Sequence, residues 1–140
     1  MPKKKSGRLW TWKPSKMHKP KVPDDIKAEL DAKARELIEK VLSPKYIEPP
    51  PKKPQFNYPT DIWTKWHRSF FHFTSTWASP GPDRIAPTFE FPFARMEYVG
   101  SDRFNLAYHR HTGKWWEIYK ELSINQCLEL IGDGGPFMLI

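Results

Sequence analysis

The chain has 140 residues, 39% of them hydrophobic and 15% aromatic, with seven tryptophans, fifteen prolines and a formal net charge of +7. That length suits one domain with a modest core. No run approaches the roughly 18 apolar residues of a membrane-spanning helix, and a single cysteine, Cys127, excludes an internal disulfide framework.

The N-terminal segment lacks the apolar stretch of a signal peptide, so the expected setting is cytoplasmic, without membrane insertion. The positive charge is unevenly placed. Of the 23 basic residues, eight (Lys3, Lys4, Lys5, Arg8, Lys13, Lys16, Lys19 and Lys21) fall in residues 1–23, where there is no acid. That leaves 15 against all 16 acidic residues, a body of net charge −1 carrying a basic arm.

Residues 1–22 form that arm. Prolines and the lack of hydrophobic periodicity predict an extended segment rather than a helix or strand. Trp10 and Trp12 stand among the lysines. Cations that neutralise phosphates, beside flat rings that stack on bases, are the usual means of holding single-stranded RNA. The same residues also suit a strap onto an acidic protein surface.

Residues 23–43 read as an amphipathic helix. Pro23, Asp24 and Asp25 open it, and Ile26, Leu30, Ala34, Leu37, Ile38, Val41 and Leu42 form its inward stripe. Glu29–Lys33, Asp31–Arg35 and Glu36–Lys40 are spaced for pairing on the wet side. Ser43-Pro44 predicts its end. Residues 44–60 are a connector stiffened by Pro49-Pro50-Pro51.

Residues 61–140 carry the sheet. From Asp61 to Trp77 the spacing predicts one long strand, bent or bulged near His67-Arg68-Ser69, with Phe71, Phe73 and Trp77 on one face and Phe70, His72, Thr74 and Thr76 on the other. A Pro/Gly loop precedes a meander of three runs, Phe89–Val99, Arg103–His109 and Lys114–Tyr119, separated by Gly100-Ser101-Asp102 and Arg110-His111-Thr112-Gly113. Pro92 points to an edge position or a bulge. Phe104, Leu106 and Tyr108 alternate with Arg103, Asn105, Ala107 and His109, and Trp115 and Trp116 must face opposite ways. Ser123-Ile124-Asn125-Gln126 has the form of a capping box, opening a helix that Gly132 is placed to end. The expected fold is α+β: an antiparallel sheet of about four strands with a C-terminal helix, preceded by the N-terminal helix and the basic arm.

The order of helix, connector, strand and Pro/Gly loop, then Ala94-Arg95-Met96-Glu97-Tyr98, a strand with Tyr108, the turn leading into Thr112-Gly113-Lys114-Trp115 and a closing helix, resembles an uncharacterised family of small bacterial proteins of unknown function, over about residues 25–131. The resemblance implies a fold and a bacterial origin but no activity, and the arm lies outside it.

No catalytic constellation emerges. His109-x-His111 is the best candidate metal pair, but Arg110 and the turn intervene and no third ligand sits at a diagnostic spacing. Lys114, His111 and Arg110 beside an outward tryptophan would extend an RNA-contacting surface. No metal, cofactor or small-molecule substrate is indicated. The function expected is therefore non-catalytic: an RNA-binding accessory subunit of a large ribonucleoprotein, with the ribosome as the expected assembly. The arm residues Lys3, Lys4, Lys5, Arg8, Trp10, Trp12, Lys13, Lys16, Lys19 and Lys21 would make the contacts, joined by Arg110, His111 and Lys114. The alternatives are an assembly subunit strapped to a protein partner, and a small nuclease or toxin using His67, His72, His109 and His111.

Overall fold

The structure, a computed structural model, describes residues 20–50, 52–53, 56–82, 85–110 and 112–139. Helix α1 (Asp24–Leu37) starts after Pro23, with Asp24 and Asp25 in its first turn. Ile26, Leu30 and Ala34 recur every fourth residue and are buried. Glu29–Lys33 and Glu36–Lys40 pair at 2.9 and 2.8 Å. The Asp31 carboxylate accepts a hydrogen bond from Trp66 Nε1 at 3.1 Å.

The helix does not end at Ser43-Pro44, as the sequence suggested. It widens into a π turn (Ile38–Leu42) and continues as the short helix α2 (Ser43–Tyr46), with Pro44 in the first turn of that last piece. Pro44 lies in continuous helical backbone, where its missing N–H and its ring would disturb a regular α ladder. The π turn shifts the hydrogen-bond register just ahead of it.

Five strands follow: β1 (Tyr58–His67), β2 (Phe70–Ala78), β3 (Thr88–Gly100), β4 (Arg103–His109) and β5 (Trp115–Leu122). They form one antiparallel sheet in the order β1-β2-β3-β4-β5. The fold is α+β with a five-stranded meander rather than about four strands. The extra strand arises because Arg68-Ser69 is a two-residue loop, with His67 paired to Phe70, so the stretch read as one bent strand is a hairpin. Arg68 takes φ 56° there, a conformation favoured by Gly or Asn, so its side chain gives no turn signal.

Pro92 sits in the central strand, not at an edge, and is accommodated by a bulge. Phe73 pairs with Ala94 and Thr74 with Pro92, leaving Phe93 as the additional residue. At the β3–β4 turn, Gly100, Ser101 and Asp102 all have positive φ.

Helix α3 (Ile124–Asp133) has the anticipated capping box: Ser123 Oγ accepts from the Gln126 N–H at 3.2 Å, and the Ser123 N–H donates to Gln126 Oε1 at 2.9 Å. It runs one residue past Gly132. The cap is Gly134 at φ 98°, and Gly132 instead lets Leu37 of α1 approach closely. A 3-10 turn (Gly135–Phe137) follows.

Both long helices lie on one face of the sheet. Leu30, Ala34, Cys127 and Ile131 join Phe71, Phe73, Met96, Phe104 and Leu106 in a single core. Burial pushes the Cys127 thiol up to about 12, so it remains protonated and inert. Among the described residues no helix is long and apolar enough to cross a membrane.

Candidate functional site

The opposite face of the sheet has no described helix over it, and register decides what it displays. Lys65 pairs with His72, His72 with Arg95, Arg95 with Ala107 and Ala107 with Glu117, so one row crosses all five strands. Ala107, the fourth of the five, contributes only a methyl and is 2% exposed. Over this low point the longer side chains converge.

Arg95 is the centre of the convergence. Its guanidinium carbon lies 4.6 Å from the Phe70 ring centroid and 4.8 Å from that of Trp115. Burial draws its pKa down, opposed by Glu97 and Glu117. Arginine remains charged at neutral pH, so a cation is fixed between two aromatic rings.

Two histidines complete the cluster. His72 meets Trp115 edge-on at 5.7 Å, and His109 meets it at 5.0 Å. Burial foremost, then the positive charges of Arg95, Lys65 and His67, lowers the His72 pKa to about 4, so the ring is neutral near pH 7. Burial also lowers that of His109, against a weaker opposing effect of the Gly113 backbone. On the flank of the cluster, Asn105 donates to Glu117 Oε2 at 3.3 Å and accepts from the Glu121 N–H at 3.0 Å.

The residues expected to contact RNA fall in three places. Lys3, Lys4, Lys5, Arg8, Trp10, Trp12, Lys13, Lys16 and Lys19 lie outside the described residues, as does His111. Lys21 lines a hollow of about 400 Å³ with Pro20, Arg68 and Phe70, so the arm joins the body beside the outermost ring of the cluster. Arg110 and Lys114 lie at the opposite end of the sheet, in the β4–β5 turn, where the Arg110 N–H donates to the Lys114 carbonyl at 2.8 Å. Lys114 is exposed, and the Arg110 guanidinium carbon stands 4.5 Å from the Trp116 ring centroid. Trp115 and Trp116 do face opposite ways, Trp115 toward Arg95.

Sequence reasoning missed Arg95, Phe70 and His72 as a unit. Alternation in β2 already put Phe70 and His72 on the face opposite Phe71 and Phe73. Nothing local says that β3 delivers an arginine between Phe70 and the β5 tryptophan. Among the described residues no three His, Cys, Asp or Glu side chains are grouped to hold a metal ion.

Neither a curated protein nor a solved structure matches the chain. A family model does: it covers residues 22–137, which take in both long helices and every strand and leave out the arm as far as Lys21. By that match the chain belongs to the family described as domain of unknown function DUF3024.

Proposed function

We propose that this protein binds single-stranded RNA along the open face of its sheet, as a non-catalytic subunit of a larger ribonucleoprotein, with the ribosome the leading candidate. The observation that carries the reading is Arg95 held between Phe70 and Trp115 on a face with no described helix over it. Aromatic rings on an open sheet offer planes for unpaired bases, and a stacked guanidinium keeps its edge donors for phosphate. The arm supports the same reading, because Lys21, the last of its eight cations, lines a hollow with Phe70. At the far end, Arg110, His111 and Lys114 would extend the phosphate track.

Anisotropy of a labelled 12-nucleotide single-stranded RNA tests this with the full chain, with Arg95→Ala and Arg95→Lys, and with a chain lacking residues 1–22. Arg95→Ala should weaken binding at least tenfold. Arg95→Lys should recover little, because an ammonium does not reproduce the planar stack. Loss of the arm should flatten the salt dependence by about 0.7 in log–log slope for each phosphate it contacts. Equal affinity for all four proteins at modest salt would end the proposal.

A further inference from the structure

On the helix-bearing side of the sheet, the ends of β2 and β3 project past the core and curl with the C-terminal segment around a second cavity. It measures about 540 Å³, within the range of small-molecule sites. Phe89, Phe91, Phe93 and Trp77 supply its aromatic wall, and Met138 helps close the other side. The bulge at Phe93 shapes this wall: it keeps Phe93 in the core against Phe73 at 6.1 Å, and beyond it Phe91 and Phe89 pair with Ser75 and Trp77. Ser75 locks the rim, its hydroxyl donating to the Phe91 carbonyl at 2.8 Å and accepting from Trp77 Nε1 at 2.9 Å.

Two polar residues of the lining give the cavity a chemical polarity. His109 packs edge-on against Phe91 at 5.2 Å, and its Nδ1 is buried with no hydrogen-bond partner among the described residues. Arg110 follows it, braced on Trp116. A buried ring nitrogen without a partner costs free energy unless something completes it. A carboxylate does so where the ring carries a proton on Nδ1, accepting from that N–H while pairing with the guanidinium, its apolar body lying against the aromatic wall.

We infer that this cavity binds a small amphipathic carboxylate, with an acid head at His109 and Arg110 and an apolar body along Phe91, Phe93 and Trp77. His109 touches both Trp115 of the open-face cluster and Phe91 of this wall, so the cavity shares His109 and Arg110 with the proposed RNA surface; carboxylate binding is read without RNA and stands or falls on its own.

Isothermal titration of the full-length protein with octanoate, octylammonium and 1-octanol tests the inference. Octanoate should bind at least tenfold more tightly than either other probe. Arg110→Gln should remove that preference while leaving the fold intact by circular dichroism. Met138→Trp, which fills the cavity from a 43% exposed position, should abolish binding of all three. Equal binding of the three probes, or octanoate binding unchanged in either variant, would overturn it.

Discussion

The Trp66 indole N–H donates to the Asp31 carboxylate across 3.1 Å, joining the middle of α1 to the edge strand β1. The same ring packs against Phe71 at 4.9 Å and lies 5.7 Å from Lys27 Nζ. One tryptophan therefore meets the core, the helix and a cation at once. That arrangement makes α1 part of the domain rather than a lever standing away from it. Asp31→Ala should cost about 1–2 kcal/mol, because the half-buried indole N–H loses its acceptor. Asp31→Asn, whose side-chain oxygen still accepts, should recover most of the loss. Urea unfolding monitored by helix signal and by tryptophan fluorescence should give one coincident transition in each variant. Separate transitions would show that the helix unfolds independently.

Leu30, the residue before Asp31, belongs to the buried stripe and is fully enclosed. Leu30→Ala should destabilise by about 2–5 kcal/mol, since the site is walled by both the sheet and α3 and has little freedom to collapse. Val41→Ala, at a position 39% exposed, should change stability by under about 1 kcal/mol. Chemical denaturation of the pair checks the direction of the stripe, and comparable losses would contradict it.

Gly134 and Gly135 differ in what a side chain would meet. Gly134 has φ 98° and ψ −110°, and a Cβ there would approach Met138 Cγ to 3.1 Å. Gly135 has φ 58° and no atom within 4 Å of such a Cβ. Gly134→Ala should therefore cost about 1–3 kcal/mol, whereas Gly135→Ala should cost about 1 kcal/mol. Thermal unfolding of the two variants reads the order directly. A reversed order would mean that α3 is capped differently.

The features legible in the chain were those written locally. The stripe Ile26-Leu30-Ala34, the Ser123–Gln126 box and the alternation Phe104-Leu106-Tyr108 each carry their own period, and each appears in the fold. Pro92 marked its bulge because a proline cannot donate to a central ladder. Arg68 was silent, since an arginine with φ 56° has no composition cue. The site was the least legible part. Phe70, Arg95 and Trp115 are separated by 25 and 20 positions, and only the pairing of β2 with β3, β3 with β4 and β4 with β5 brings them together.

The silent turn leads to its own prediction. Arg68 is the first of two loop residues and holds a left-handed φ that a Cβ disfavours by roughly 1–2 kcal/mol. Gly removes that penalty and returns part of it as unfolded-chain entropy. Arg68→Gly should leave a net gain of up to about 1 kcal/mol, seen as a higher urea midpoint at unchanged slope. A loss of stability would mean that the Arg68 side chain, beside Pro20 and Lys21, contributes more than its backbone costs.

His72 makes stability depend on pH with a definite sign. Its folded pKa is lowered from the model-peptide value of 6.5 to about 4, because the ring is partly buried and faces Arg95, Lys65 and His67. Between those values the unfolded chain binds a proton that the folded chain refuses, so stability rises with pH across the window. The contribution is complete above about pH 6.5 and is lost progressively as the pH falls toward 4. His109, whose pKa is lowered in the same direction, adds to the slope. His72→Gln removes the larger titration and keeps a polar side chain beside Trp115. Urea midpoints from pH 7 to 4 should fall less steeply in the variant than in the parent, with the two curves differing most at the acid end. Parallel curves would show that His72 is protonated in the folded state as readily as in the unfolded one, and that Arg95 does not approach it closely enough to exclude the charge.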